Sequence, residues 1–171
     1  LATQQDRLVI QRLIPGDDTT PVARLCAEVQ ALHAAAEPHR YKRPGRRFVT
    51  ETAKWFSSLL PNFDHFVILA TVNGDPVAYA SAQLTYREDG IYAPKHCALY
   101  VDQFGVTETQ RGKGYGRALL DVLVEIARVN EADDIKLDVQ AFNAGAIEFY
   151  RRCGFHTSRH HMVLTIGDDH A

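Results

Sequence analysis

The stretch FGVTETQRGKGYGRALL, residues 104–120, constrains this chain more than any other. A strand-like apolar run ends at Val106, glycines follow at 112, 114 and 116, and a helical pattern opens at about Tyr115. Glycines so closely spaced let the backbone turn tightly and approach a ligand. A helix that starts at such a turn points unpaired N–H groups outward, which favours an anion. Arg111, Lys113 and Arg117 are interleaved with the glycines and add positive charge. A phosphate-bearing ligand fits this join, and a bare surface turn is the competing reading. The spacing is GxGxG, which is not the dinucleotide fingerprint GxGxxG. Nor does it carry the Gly-Lys-Ser/Thr of a P-loop.

Around this join the chain reads as an alternation of strands and helices. Leu8–Ile14 is strand-like and closes at Pro15-Gly16. Thr20-Pro21 marks a helix start, with Thr20 as N-cap, and Pro38 ends that helix. A second helix is expected from near Thr50 to before Pro61, with Thr52, Phe56 and Leu59 inward. Phe66–Val72 and Val77–Tyr86 flank the turn Asn73-Gly74-Asp75-Pro76 and predict an antiparallel hairpin. Cys97–Val106 is the strand before the glycines. The helix from about Tyr115 to Val129 turns Leu119, Val122, Leu123 and Ile126 inward. Ile135–Ala141 is strand-like, Ala144–Arg152 is helical with Gly154 as a left-handed cap, and His160–Ile166 is a last strand. The Gly167–Ala171 tail is expected to fray. This order predicts an α/β fold, a mixed central sheet with helices on both faces.

The 171 residues suit one domain. A net charge of -2 gives no field toward nucleic acid or an acidic membrane, so neither is an expected partner. No apolar run approaches membrane-spanning length and no signal-peptide pattern opens the chain, which points to the cytoplasm. Cys26, Cys97 and Cys153 lack metal spacing and are expected to be buried thiols. The basic run Arg40, Lys42, Arg43, Arg46, Arg47 reads first as a solvated loop, and second as a flank that favours an acidic acceptor.

Arg111-Gly112-Lys113-Gly114-Tyr115-Gly116 resembles the Arg/Gln-x-x-Gly-x-Gly/Ala signature of the GNAT superfamily of N-acyltransferases. Asn143-Ala144-Gly145-Ala146 and Tyr150-Arg151-Arg152-Cys153-Gly154-Phe155 resemble a second segment of that family at the right distance. The resemblance implies a single domain that takes acetyl-coenzyme A as co-substrate and needs no metal. It implies that Arg111, Gly112, Lys113, Gly114, Tyr115, Gly116 and Arg117 hold the pyrophosphate. Main-chain groups of Phe104 and Val106 would pair with the pantetheine arm, and Asn143 would touch it. Tyr150 would be the general acid for the thiol. Cys97–Val106 and Ile135–Ala141 would form a parallel pair splayed near Val106, the coenzyme site.

An alkylammonium acceptor has a pKa near about 10.4 and must lose a proton before attack. Asp102 is the candidate base, working through water, with Glu108 second. In a regular strand Tyr100 and Asp102 would share a face with Phe104 and Val106. A thiolate (about 8.5) and a tyrosine (about 10) are roughly matched for proton transfer. A splayed or bulged strand end at Val106 would offer its N–H to the thioester oxygen, as in the family. His33 and His39 are substrate-contact candidates. His160 and His161 are adjacent on an expected strand and point to opposite faces, against chelation with His170. Cys153 is expected to be buried and inert rather than a covalent carrier. The acceptor is a small-molecule amine or a protein or peptide amine, chosen by the loops 33–50 and 87–96, and the chain a monomer or homodimer. Two other classes stay open: a silent acyl-coenzyme A-binding module and a nucleotide-binding oxidoreductase.

Overall fold

The computed structural model describes residues 7–166. The chain divides into two compact units, Leu1–Asp138 and Val139–Ala171. In the first, a sheet runs β1 (Leu8–Arg12), β2 (His65–Val72), β3 (Asp75–Arg87), β4 (His96–Val106), β5 (Asp134–Leu137), neighbours in that order. β1 to β4 pair antiparallel and β4 pairs with β5 in parallel, the mixed sheet expected from the sequence. Helices α1 (Thr20–Ala36) and α2 (Phe48–Leu59) fill the connection from β1 to β2, and α3 (Tyr115–Val129) joins β4 to β5. The second unit holds α4 (Ala144–Arg152). No helix among the described residues is long and apolar enough to cross a membrane.

Local chemistry accounts for these elements. Asn73 (φ 53°) and Gly74 (φ 93°) both sit in the left-handed region, the turn that matches the twist of a tight hairpin. Pro21 lies in the first turn of α1, where its missing N–H is harmless. The N-cap is Thr19 rather than the expected Thr20. The Thr19 hydroxyl donates to the Ala53 carbonyl at 2.6 Å, tying α1 to α2, and Asp18 Oδ1 accepts from Thr20 N at 2.9 Å instead.

Both faces of the sheet are covered. Val67, Leu69 and Tyr79 join Val22, Leu25 and Cys26 of α1 and Phe56 of α2 in one buried cluster. The alternate residues Ile68, Ala70, Ala78 and Ala80 are also buried, with Leu119, Leu120, Leu123 and Ala127 of α3. The expected inward residues Val122 and Ile126 are only half-buried, because the stripe runs through Leu120 and Ala127. Gly105 of β4 lies under Tyr79. An added Cβ would stand 2.7 Å from Tyr79 Cε1 and 2.7 Å from Val29 Cγ2. Tyr79 is fully buried and has no room to yield. Gly105→Ala is therefore expected to destabilise the fold by about 1–3 kcal/mol, although alanine suits a strand better than glycine. A urea midpoint equal to the parent's would show that the core absorbs the methyl.

Two expected strands differ. β5 stops at Leu137 rather than Ala141, because the chain enters a turn closed by Asn143 N and the Gln140 carbonyl at 2.9 Å. His160–Ile166 forms no strand, and Met162, Leu164 and Ile166 are 80% exposed or more. Its alternation suits a strand, but a strand needs a ladder, and no strand among the described residues pairs with it. His170 and the Gly167–Ala171 tail lie outside the described residues.

Candidate active site

The loop that follows β4 turns as its glycines allow. After a short 3₁₀ turn at Glu108–Gln110, Gly112 (φ 78°) and Gly114 (φ 88°) adopt left-handed backbone with open space where a Cβ would be. Gly114 is the N-cap of α3, and no side chain caps that helix. The helix's own bonding starts with Ala118 N on the Gly114 carbonyl, at 3.0 Å. The N–H groups of the preceding first turn have no acceptor within the helix, which is where an anion binds. The basic side chains are exposed and locally braced. Arg111 Nε donates to the Val106 carbonyl (3.1 Å), Lys113 Nζ to Gln110 Oε1 (2.8 Å) and Arg117 Nε to Asp121 Oδ1 (3.0 Å). Charge and backbone together fit a pyrophosphate. The Val106 carbonyl, expected on the pantetheine arm, already accepts from Arg111.

The parallel pair parts earlier than expected. Its ladder ends at Val101 opposite Leu137, whereas β4 continues beside β3 to Val106 opposite Ala78. At the same place β4 bulges. Gln103 pairs with Ser81 and Val101 with Ala82, so Asp102 is the extra residue. This overturns the expected side-chain face. Phe104 and Val106 lie opposite Ala80 and Ala78, whereas Tyr100 and Gln103 lie opposite Gln83 and Ser81 on the α1–α2 face. Asp102 joins that face too, since its Oδ2 accepts from Ser81 Oγ at 2.6 Å.

Asp102 thus stands where β4 and β5 part. Ser81 Oγ also lies 2.9 Å from His65 Nε2, and His65 Nε2 is 3.6 Å from Asp102 Oδ2. Asp102 Oδ1 is buried and meets no hydrogen-bond donor among the described residues. Beside it, Tyr100 donates its hydroxyl to Asp138 Oδ2 at 2.8 Å. Burial first, then that bond and the charges of Asp138 and Asp102, push the Tyr100 phenol up to about 12. Glu108, the second base candidate, is exposed on the 3₁₀ turn. His33 is half-buried on α1 against Tyr41, ring centroids 5.1 Å apart, and burial pushes its imidazole down. His39 is exposed.

In the second unit, Asn143 caps α4, its Oδ1 accepting from Ala146 N at 3.1 Å. The other end closes on Gly154, left-handed at φ 96°. Phe155 N bonds the Tyr150 carbonyl and Gly154 N the Arg151 carbonyl, both at 3.0 Å, a paired stop that only a left-handed residue permits. The same turn brings the Phe155 ring to 5.5 Å from Tyr150, with Phe149 on another side at 5.2 Å. Tyr150 is held among aromatics, and burial, then the Cys153 thiol, pushes its phenol upward. Cys153 is half-buried rather than buried, because coil follows it instead of a strand.

A model of the acetyltransferase (GNAT) family matches residues 27–155 of this chain. The chain belongs to that family. The match runs through β4, the glycine loop, α3 and the Gly154 turn. The chain is 30% identical over 104 residues to an uncharacterised N-acetyltransferase of Methanocaldococcus jannaschii, covering 60% of this chain and 45% of that protein. It is 38% identical over 64 residues to streptothricin acetyltransferase of Streptomyces lavendulae, covering 37% and 34%. The chain thus spans less than half the length of these curated relatives. A tetramutant of a Bacillus halodurans protein shares the fold, with a TM-score of 0.84 at 23% identity over 92% of this chain and 99% of that one.

Within the GNAT fold of the first unit, the phosphate-type loop and Asp102 both belong to β4 and its continuation. Sequence reasoning did not find His65 and Ser81, which meet Asp102 across three strands. The one signal was a histidine opening an otherwise apolar strand run.

Proposed function

We propose that this chain is one N-acetyltransferase domain that moves an acetyl group from acetyl-coenzyme A to an amine. The observation that carries the reading is the turned glycine loop at the open N-terminus of α3, inside the matched family stretch. Gly112 and Gly114 leave space for a pyrophosphate, Arg111, Lys113 and Arg117 supply charge, and backbone N–H groups of Tyr115 and Gly116 supply donors. Phe104, Val106 and Asn143 are proposed for the pantetheine arm. With Asn143 Oδ1 committed to the α4 cap, its amide N–H group is the part that would reach the arm. When bound, the co-substrate supplies the acetyl group as a thioester. Tyr150, held protonated, is the proposed donor to the departing sulfur.

Asp102 is the proposed base. It stands at the parting of β4 and β5, where its carboxylate would take the acceptor's proton through water. Asp102 and Asp138 together make this face negative, which favours a cationic amine over an acidic acceptor. The test is acetyl transfer from acetyl-coenzyme A to a panel of streptothricin, a polyamine, an aminoglycoside and a peptide α-amine, read by thiol release. Coenzyme A and NAD are titrated in parallel by calorimetry. Turnover with one amine class and binding of coenzyme A alone support the reading. Binding without turnover on any amine would point to the silent module.

Asp102→Asn keeps the volume and removes the basicity. Turnover at neutral pH should fall about 10²-fold, the lower end for acid–base groups. It should recover as pH rises, because the free-amine fraction grows about tenfold per unit below the amine's pKa of about 10.4. An unchanged pH–rate profile would transfer the role to Glu108 or to ordered water.

A further inference from the structure

Three adjacent strands place three polar side chains together on the α1–α2 face. His65 of β2 is 7% exposed, Ser81 of β3 is fully buried, and Asp102 of β4 is the bulged residue. A serine hydroxyl has one proton to give. Ser81 gives it to Asp102 Oδ2 at 2.6 Å, so at 2.9 Å from His65 Nε2 it must accept. His65 Nε2 therefore carries a proton, and the chain of donors runs one way, from His65 to Ser81 to Asp102. The nearby cation Arg12 is engaged elsewhere, its Nη2 on the His65 carbonyl (3.0 Å) and its guanidinium over the Phe66 ring (4.3 Å). The order is not that of a hydrolase triad, in which histidine is central and the serine meets the substrate. Here the serine is central and sealed from solvent.

We propose that His65 and Ser81 are positioning residues for proton removal from the acceptor. The donor chain holds the Asp102 carboxylate in place through Oδ2, while its buried Oδ1 meets no donor among the described residues. A buried carboxylate oxygen without a donor is costly, and a role in accepting a proton accounts for it. The inference rests on the reading of Asp102 as base.

The experiment uses the full chain with His65→Leu, His65→Gln and Ser81→Ala, each alone and combined with Asp102→Asn. Circular dichroism checks the fold of every variant. With acetyl-coenzyme A and the amine turned over in the panel, His65→Leu and Ser81→Ala should each lower kcat about tenfold. The KM for acetyl-coenzyme A should stay unchanged. His65→Gln, whose amide nitrogen reaches the Nε2 position, should recover most of the rate. In the Asp102→Asn background none of the three should lower the rate further. A parent-like His65→Leu beside a slow Asp102→Asn overturns the positioning role alone. Losses that multiply with that of Asp102→Asn also overturn it. A parent-like Asp102→Asn removes the base and the positioning role together. Independently of any acceptor, 15N NMR of the neutral His65 ring should show the Nε2–H tautomer, with resonances displaced by Ser81→Ala. The Nδ1–H tautomer would overturn the donor chain.

Discussion

Gly114→Asp is expected to lower coenzyme A affinity by about 10²-fold or more while α3 stays folded. Gly114 is the N-cap of α3 and has left-handed backbone (φ 88°) with open space at its Cβ position. Aspartate enters that region more readily than most residues and is a good cap, so strain and capping oppose each other. The fold should survive. The new carboxylate, however, would lie among the first-turn N–H groups and occupy the donors offered to the pyrophosphate. Two unit charges about 4 Å apart repel by about 4 kcal/mol near a protein surface, and salt reduces that figure. Gly114→Ala adds the backbone strain without the charge and should lose far less. Calorimetry with coenzyme A at two salt concentrations checks both variants. Unchanged affinity in a folded Gly114→Asp chain would place the pyrophosphate elsewhere.

Features encoded by a few neighbouring residues were legible in the sequence. The bounds of α3, Tyr115–Val129, follow from glycines ahead of an amphipathic run, and Gly154 is the left-handed stop that its spacing after Tyr150 announces. Those spacings also carried the family resemblance that the match over residues 27–155 bears out. What the pattern missed arises where strands meet. The bulge at Asp102 inserts one residue into β4 without a glycine or proline to mark it, so strict alternation rightly grouped the carboxylate with Tyr100 but wrongly with Phe104 and Val106. His65 and Ser81 reach Asp102 through the register of three strands, and no local spacing records that register. His160–Ile166 failed in the opposite way. Its local propensity was real, but a strand exists only with a partner.

Tyr150→Phe should lower turnover by about 10²–10⁴-fold, the usual range for a general acid, with the KM for acetyl-coenzyme A nearly unchanged. The substitution removes one oxygen and keeps the ring between Phe149 and Phe155, so the turn at Gly154 should persist. The structure also alters the expected pH behaviour. Burial, then the Cys153 thiol, raises the phenol above its ordinary value. A raised phenol stays protonated as pH climbs through its reference value of about 10. It is a weaker acid than a matched one, but it is present in the donating form throughout the range in which amines become nucleophilic. The parent's rate should therefore show no falling limb from loss of the phenolic proton at about pH 9–11, one unit either side of the tyrosine reference. Pre-steady-state measurements must establish that chemistry limits turnover, because slow product release would hide the lost hydroxyl. With that established, equal rates for Tyr150→Phe and the parent would leave protonation of the thiolate to solvent.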